Sequence, residues 1–446
     1  MAFFRCGGGG GEKTVVLPDN TVAINVFSKE NSAEIFWDIP QNSEVDIENF
    51  KIYICKSDTK PASLKEFTLY KLVEPTVNTC VIDNLENDTN YYIAVCSVTT
   101  DDYENASLRS VAEVIPRETE IIISNGDSFF HYSNDGIEWN KQTIGISQRN
   151  IKWVHDRWIS TKSVCTVTSA FSSYDSSTST TYYKYTITGT LYYSFDKEIW
   201  VTVNFTLGTI ISSSYSSSIK LLDNVEYIDG MYATVSSDGY MFLTKDFQDF
   251  TKKSFENYNI NTESYGDYFH NIGNYIVNLS IKVASLYTYA NIKVFNKNLE
   301  AIKETYFSNY ASAGYDQLVL FAKYTFGLYF CAAGCLYHVN GINGTITLIA
   351  KLDRDERPYS MFSDENYVYY VQYRKWKWYR ALLGSVDFVE MGVGNQYVSG
   401  NNVVTVDGKW IAISRQSGVM YSNKDISNWV DVESGISGNI ASNGGF

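Results

Sequence analysis

The feature that most constrains the fold is a short polar turn that recurs through residues 117–446. It reads YSNDGIEW from residue 132, YSFDKEIW from 193, LTKDFQDF from 243 and YSNKDISNW from 421. Weaker copies are VFNKNLEA (294), YHVNGING (337) and ALLGSVDF (381). Successive copies lie about 40 to 60 residues apart, the length of a four-stranded propeller blade.

Pairs of short strands separate these turns, as in VEYIDGMYATVSS and VVTVDGKWIAISR. Counting the turns gives seven units. The first turn comes too soon after residue 117 for a whole blade to precede it, whereas the chain ends in one strand's worth of sequence, SGISGNIASNGGF. We therefore predict that residues 117–446 form a seven-bladed β-propeller in which the C-terminal strand completes the first blade.

The residue types of the turn fit a hairpin better than a catalytic loop. Short side chains such as Ser133 and Asp135 satisfy amides that the strand ladder does not reach, Gly136 tolerates unusual backbone angles, and Trp139 covers the turn. The motif resembles the Asp-box of sialidases and related propellers, which implies a structural turn away from the binding face. The further residues assigned to it are Ser194, Asp196, Trp200, Thr244, Asp246, Phe250, Ser422 and Trp429, with Asp425 one position late.

Residues 18–116 contain short alternating strands that are typical of a β-sandwich. Trp37, then Leu85 and Tyr91 in the segment LENDTNYYIAV, resemble the pattern of a fibronectin type III domain, in which the tyrosine hydrogen-bonds back to its corner. The alternation places Cys55 and Cys96 on the outward side, and it leaves open whether they form a disulfide.

Composition and charge support an all-β protein and limit its partners. Aromatic residues make up 15% of the 446 residues, six are proline, and the net charge is −14. Residues 18–116 hold 17 acids against 7 bases. This balance argues against a nucleic-acid partner, because phosphate contacts need clustered Lys and Arg. Seven cysteines at irregular spacing indicate reduced thiols.

Residues 1–17, with the run MAFFRCGGGGG, are predicted to form a flexible glycine-rich arm and do not resemble a signal peptide. The most apolar window, 318–339, is divided by Lys323, Gly327 and Gly334 into strand-length pieces, so we expect no membrane insertion. No cofactor or metal is expected. Cys331, Cys335 and His338 match no standard zinc spacing, and we interpret them as buried packing residues.

The segment RKWKWYR, residues 374–380, is the densest cluster of basic and aromatic side chains. As a strand it would direct its arginine and tryptophan side chains to one side and its lysine and tyrosine side chains to the opposite side. Either it is an outer strand packed on the next blade, or it is a platform for sugars or an anionic polymer. The candidate ligand-binding residues are Arg374, Lys375, Trp376, Lys377, Trp378 and Arg380, with Tyr379 on the Lys side.

The sequence contains no catalytic constellation. The Arg-Ile-Pro triplet typical of sialidases is absent, and the arginines of the propeller are scattered through it. The layout resembles tail-associated or surface-displayed proteins of bacteriophages and phage-derived particles. We therefore expect a non-enzymatic virion protein, assembled in the bacterial cytoplasm without signal-peptide secretion. Its arm or sandwich would bind other virion proteins, and its propeller would bind a host glycan or a neighbouring subunit. The alternative is a sialidase-like or other glycan hydrolase acting on cell-surface polysaccharide.

Overall fold

The structure is a computed structural model, and it divides into two compact units, Met1–Glu118 and Thr119–Phe446. It describes residues 24–37, 47–104, 111–126, 128–144, 151–212, 221–236, 239–255, 264–284, 287–310, 320–324, 327–332, 334–352, 356–364, 366–396, 398–406, 408–414 and 418–442. The predicted arm, residues 1–17, lies outside these ranges. The domain boundary falls after Glu118, against the predicted boundary after residue 116.

The first unit contains two antiparallel sheets and one short 3₁₀ turn, Leu64–Glu66. One sheet has the order β1-β2-β5 and the other the order β4-β3-β6-β7. The strands are β1 Ile24–Lys29, β2 Ser32–Trp37, β3 Ile47–Lys56, β4 Thr68–Val73, β5 Thr79–Asp83, β6 Tyr91–Thr99 and β7 Val111–Val114.

Alternate side chains of these strands form one buried core, as their spacing predicts. Trp37 is buried edge-on against Phe50, with ring centroids 5.8 Å apart. Leu85 and Tyr91 lie in the same core. The hydroxyl oxygen of Tyr91 accepts a hydrogen bond of 3.1 Å from the backbone N–H of Glu86, which fixes the corner before β6.

Cys55 and Cys96 are both free thiols. Strand register pairs Cys55 with Tyr92 and Cys96 with Lys51, so the two cysteines are not opposite one another. Cys96 is nevertheless buried, and burial together with the nearby Glu104 raises the pKa of its thiol to about 12. The thiol therefore stays protonated at neutral pH.

The second unit is built from β-strands, and its described residues contain no α-helix. The strands are β8 Ile121–Ser124, β9 Phe129–Ser133, β10 Asn140–Thr143, β11 Ile151–Val154, β12 Arg157–Asp175, β13 Thr180–Ser194, β14 Val201–Ser212, β15 Leu221–Ile228, β16 Met231–Ser236, β17 Tyr240–Thr244, β18 Thr251–Ser254, β19 Ser264–Ile272, β20 Tyr275–Ala284, β21 Tyr287–Phe295, β22 Ala301–Tyr310, β23 Leu320–Tyr324, β24 Gly327–Ala332, β25 Cys335–Asn340, β26 Ile346–Lys351, β27 Pro358–Ser363, β28 Tyr367–Gln372, β29 Lys377–Leu382, β30 Val389–Val393, β31 Val398–Val406, β32 Lys409–Ser414, β33 Gly418–Ser422, β34 Val430–Glu433 and β35 Asn439–Ser442.

These strands form four-stranded antiparallel meanders, which identify a β-propeller. Blade 1 has the order β35-β8-β9-β10, and blades 2 to 5 contain β11–β14, β15–β18, β19–β22 and β23–β26. Strands β27–β30 and β31–β34 form blades 6 and 7, which one parallel bridge joins into a single eight-stranded sheet. As predicted, the C-terminal strand β35 pairs with β8 and completes the first blade.

Buried apolar clusters between the described strands of neighbouring blades hold the ring together. Each cluster contains side chains from two successive blades, and the last joins blade 7 to blade 1. In order around the ring, the clusters include Phe130 and Trp158, Ile187 and Phe242, Met241 and Phe269, Leu279 and Phe330, Tyr329 and Met361, Trp378 and Trp410, and Ile411 and Ile121.

Candidate functional site

The meander topology separates the hairpin turns into two ends of the propeller. In every blade the first-to-second and third-to-fourth strand turns lie at one end, because adjacent strands are antiparallel. The second-to-third turn and the connection to the next blade lie at the opposite end. The Ser/Asp turns all join third and fourth strands, so they share one end, which we call the Ser/Asp end.

The first Ser/Asp turn is pinned by its own side chains. Ser133 Oγ accepts the backbone N–H of Gly136 at 2.8 Å, and Asp135 Oδ1 accepts those of Ile137 and Glu138 at 2.8 and 3.0 Å. Trp139 Nε1 donates to the carbonyl of Gly136 at 3.1 Å. Gly136 adopts a left-handed φ of +74° that suits glycine. The side chains thus replace ladder hydrogen bonds that a turn cannot make.

The same bonds recur in the other strong copies. Asp196 Oδ1 accepts the N–H groups of Glu198 and Ile199, both at 2.9 Å. Trp200 Nε1 donates to the carbonyl of Lys197 at 2.8 Å. Ser194 Oγ donates to the carboxylate of Asp196 at 3.0 Å. Further members of the set, with their own contacts to backbone groups, are Thr244, Asp246, Ser422, Asp425 and Trp429.

The third copy replaces the tryptophan by Phe250. This ring stacks on Phe205 in the neighbouring blade, with centroids 4.1 Å apart. In the fourth copy the carboxylate of Asp425 still accepts a backbone N–H, from Ser427 at 2.9 Å, although the residue comes one position late. The extra residue is absorbed at Lys424, which has a left-handed φ of +59°.

Electrostatics agree with this structural role. Burial tends to raise the pKa of Asp135, but the N–H groups of Ile137 and Glu138 and the hydroxyl of Ser133 outweigh it and lower the pKa. At Asp196 the N–H of Ile199 is the largest cause of a lowered pKa. Both carboxylates are therefore ionised acceptors, and neither has the raised pKa expected of a proton donor.

The basic cluster lies at the opposite end from the Ser/Asp turns. Residues Tyr373–Trp376 form the turn between β28 and β29, which are the second and third strands of blade 6. The prediction that residues 374–380 form one strand is therefore wrong for Arg374, Lys375 and Trp376. Backbone bonds hold this turn, from the N–H of Tyr373 to the carbonyl of Arg357 at 2.7 Å and from Lys375 to Tyr373 at 2.8 Å.

Two bulky residues of this turn have a left-handed backbone. Arg374 has φ +63° and Trp376 has φ +54°, although neither is a residue type that favours this region. Such conformations cost roughly 1–2 kcal/mol each and concentrate at functional sites. The conformation leaves the Arg374 and Lys375 side chains exposed and the Trp376 ring half-buried.

Aromatic rings surround the turn. Trp376 packs edge-on against Tyr359 with centroids 5.2 Å apart, and Tyr373 lies 6.0 Å from Tyr359. The guanidinium carbon of Arg374 lies 5.3 Å from the centre of the Tyr373 ring. We call Tyr359, Tyr373, Arg374, Lys375 and Trp376 the cationic aromatic turn. Sequence patterns missed Tyr359, because only the pairing of β27 with β28 brings it beside this turn.

The remaining candidates of the basic cluster have other partners. Lys377 pairs with Glu390 at 2.9 Å. Trp378 is fully buried between blades 6 and 7, with its ring stacked 5.7 Å from Trp410. Arg380 lies over the ring of Tyr367 at 4.7 Å. The structure therefore separates these three residues of β29 from the exposed cations of the turn.

Cys331, Cys335 and His338 are buried packing residues, as the sequence suggests. The two thiols are free. His338 Nε2 lies 3.0 Å from the hydroxyl of Tyr324, and its ring stacks on Tyr329. Burial lowers the pKa of His338 to about 4. Within the described ranges, no group of three or more His, Cys, Asp or Glu side chains is placed to hold a metal ion.

A polar network that sequence analysis missed joins the first strands of blades 2 to 5. Glu226 on β15 pairs with Lys323 on β23 at 2.5 Å, which spans from blade 3 to blade 5. Asn224 donates to Glu226 at 2.9 Å, and Lys152 on β11 donates to Asn224 at 2.9 Å. His270 Nδ1 on β19 lies 3.4 Å from Glu226 without hydrogen-bond geometry.

The described arginines of the propeller are divided between its two ends, and Arg357 lies beside Arg374, since its carbonyl accepts the N–H of Tyr373 at 2.7 Å. Arg157 pairs with Asp156 at 2.8 Å, in the first-to-second strand turn of blade 2 at the Ser/Asp end. Arg374 lies at the opposite end. Arg149, Arg354 and Arg415 lie outside the described residues.

No protein-family model matches the sequence. The search of curated proteins gives no match. In the described part of the chain, no helix has the length and apolar character of a membrane span.

Solved structures to which the chain is similar include propellers at low identity. The WD40 β-propeller domain of Doa1 is 11% identical, with 69% of this chain and 90% of that chain covered and a TM-score of 0.37. AztD from Citrobacter koseri is 10% identical, with 90% and 99% covered and a TM-score of 0.38. YCF48 bound to D1 peptide is 10% identical, with 66% and 91% covered and a TM-score of 0.37. The assignment of a β-propeller follows from the sheets of the chain itself.

Proposed function

We propose that this chain is a non-enzymatic structural or adhesion protein of a phage or phage-derived particle. In this proposal the propeller binds an anionic glycan of the host surface through the cationic aromatic turn. The observation that carries the proposal is the backbone of Arg374 and Trp376. Both are held left-handed at the end of the propeller away from the Ser/Asp turns, so that two cations are exposed beside three aromatic rings.

The chemistry of this turn suits a sugar polymer with negative charges. Tyrosine and tryptophan rings present flat apolar faces with a polar edge, on which sugar rings stack. Arg374 provides a planar fork for a phosphate or carboxylate, and Lys375 provides a second positive charge. The chain as a whole is acidic, with a net charge of −14, so the two adjacent cations make this turn a local site of positive charge for an anionic ligand.

The modular interpretation is part of the same proposal. Two packed sheets with the Tyr91 corner support a fibronectin type III-like sandwich, and the Ser133, Asp135 and Trp139 contacts support an Asp-box-like propeller. We propose that the sandwich or the glycine-rich arm binds other virion proteins. The protein would then be displayed on the particle surface, after assembly in the bacterial cytoplasm.

The test is binding of the full chain to purified anionic wall polysaccharide, with the double variant Arg374→Ala/Lys375→Ala. We expect binding that weakens as salt rises and that falls at least about tenfold in the variant, since two charge contacts of about 1 kcal/mol or more are removed. Lys141→Ala is the matched control, because Lys141 also lies over an aromatic ring, 3.6 Å from Phe129, but in the outermost strand of blade 1. Equal loss in both variants would contradict the assignment of the turn.

The hydrolase alternative is an outcome of the same experiment. Release of soluble sugar from the polysaccharide or from sialosides would replace the adhesion proposal by an enzymatic one. Retained binding without release would leave no support for the enzyme.

A further inference from the structure

Three strands of blade 2 form an extension and are longer than any strand described in the other blades. Its strands β12, β13 and β14 have 19, 15 and 12 residues. The pairing of β12 with β13 continues from Thr166↔Thr188 to Asp175↔Thr180, whereas the pairing of β11 with β12 ends at Ser160. Among the described strands, only β13 pairs with residues 161–175 of β12. Within the described ranges, the edge of β12 from Thr166 to Asp175 therefore has no strand partner on the side away from β13.

One face of the extension continues an apolar row that begins inside the ring. Ile187 and Leu191 of β13 are buried in the cluster between blades 2 and 3. Tyr183 lies on the same face of β13 further along, and register places Phe171 of β12 opposite it. The Phe171 side chain is 67% exposed. The extension thus continues the apolar face of β13 beyond the side chains that are buried between blades 2 and 3.

The edge of β12 lacks the usual protection against strand pairing. Natural edge strands carry lysine, proline or inward-pointing charges that block a partner. From Thr166 to Asp175 there is no proline, and the only charged residue is Asp175 at the tip. The opposite edge, β14, is covered at one point, where Lys252 Nζ donates to the carbonyl of Leu207 at 2.7 Å.

We propose that this edge is the contact between two copies of the chain, paired antiparallel along β12. The charge of this segment allows a second copy of the chain to approach it. Two chains of net charge −14 repel each other, and residues 166–188 carry only Asp175 and Lys184, which cancel. Antiparallel pairing of one edge with itself also gives a closed two-fold dimer, the commonest symmetric assembly.

The small area of the proposed contact favours a low affinity between the two copies. Ten residues of strand extend roughly 33 Å, and three strands are about 14 Å wide. A contact of this length involves less area than the roughly 1,200 Å² of standard stable interfaces. We therefore expect a weak dimer that dissociates on dilution. Its two-fold axis places Ser169, near the middle of the exposed edge, close to Ser169 of the second copy.

The experiment measures the mass of the full chain by sedimentation over a dilution series. The wild-type chain is expected to dimerise, and Ser169→Lys and Ser169→Glu are each expected to weaken dimerisation at least about tenfold, because like charges meet across the two-fold axis. An equimolar mixture of the two variants is expected to restore dimers. Restoration by mixing distinguishes pairing of this edge from simple misfolding.

Thr206→Lys, on β14, is the matched control and is expected to dimerise like the wild type. A wild-type chain that stays monomeric at every concentration would overturn the proposal. So would a mixture of the two Ser169 variants that does not dimerise, or a Thr206→Lys chain that is the only monomeric variant. The last result would place a contact on the β14 edge instead.

Discussion

Replacing Lys323 by methionine is expected to destabilise the propeller strongly at neutral pH. The Glu226 carboxylate is buried, with its side chain 9% exposed, and Lys323 Nζ lies 2.5 Å from one of its oxygens. Methionine keeps most of the aliphatic stem of lysine and removes the charge. The variant therefore leaves a buried carboxylate with Asn224 as its direct hydrogen-bond donor and His270 as the nearest ionisable neighbour.

The contribution of Glu226 to the free energy of unfolding follows from the pKa of its carboxyl group. Burial alone would raise this pKa, but the opposite charge of Lys323 is the largest opposing cause, and the pKa is lowered from 4.5 to about 2. A carboxylate with this lowered pKa contributes about 3 kcal/mol of stability at neutral pH. The contribution is fully present above the unfolded pKa of 4.5 and is lost as the pH falls towards 2.

In the Lys323→Met variant the shift of the Glu226 pKa changes sign. Breaking a fully buried pair from one side costs about 3–5 kcal/mol, and because the Lys323 side chain is 36% exposed and partly screened by water, we expect about 2–3 kcal/mol here. Burial then raises the pKa of Glu226 above its unfolded value. The loss of stability in the variant is therefore expected to become smaller as the pH falls through that raised pKa, since protonation removes the buried charge. Burial lowers the pKa of His270, so its imidazole is neutral at pH 7 and does not replace the lysine.

The assay is urea denaturation of the full chain at neutral and mildly acidic pH, followed by tryptophan fluorescence. The double variant Glu226→Gln/Lys323→Met is expected to recover most of the loss. Lys303→Met, which removes an exposed cation of β22, is expected to change stability by less than about 0.5 kcal/mol. A loss of stability below about 1 kcal/mol in Lys323→Met, or a loss that does not depend on pH, would show that Lys323 does not stabilise a buried Glu226 carboxylate.

Three further predictions concern the propeller, each measured by denaturation of the full chain. Asp196→Ala is expected to cost about 1–2 kcal/mol above the unfolded pKa of 3.8, because a charged acceptor of two backbone N–H groups is removed. The cost is expected to shrink as the pH falls from that value through the lowered pKa of Asp196 in the folded chain. Trp378→Ala is expected to lower the free energy of unfolding by about 3–5 kcal/mol, whereas Arg380→Ala is expected to change it by less than about 0.5 kcal/mol. Equal effects would contradict the difference in burial between the two side chains. Deleting residues 437–446 removes β35 and is expected to abolish the cooperative calorimetric transition of the propeller, whereas deleting 443–446 keeps β35 and leaves that transition intact.

The propeller was predictable from sequence because its signals are local. Ser133, Asp135 and Trp139 bond to groups within six residues of one another, so their spacing alone identifies the turn. The closing strand was predictable for a related reason, since a blade without its first strand and a leftover strand at the chain end imply pairing. The sandwich core followed from the alternation of Trp37 and Tyr91 with their neighbours.

The cationic turn was not predictable in the same way. Turns are normally recognised in a sequence by Gly, Pro, Asn or Asp, and residues 374–376 contain none of these. Alternating Arg, Lys and Trp therefore favoured a strand, and the left-handed φ of Arg374 and Trp376 overrides that preference. The Glu226 network is equally hidden, because His270 and Lys323 lie 44 and 97 residues away along the chain, and only ring closure brings them together.

In our proposal the propeller binds an anionic glycan at the end opposite the Ser/Asp turns without cleaving it. The most direct measurement is a mass balance of purified anionic wall polysaccharide after prolonged incubation with the full chain. Intact polymer should be retained by the protein, released by salt, and lost when Arg374 and Lys375 are both replaced by alanine. Soluble sugar fragments that accumulate with time, or intact polymer retained equally by the double variant, would contradict the claim.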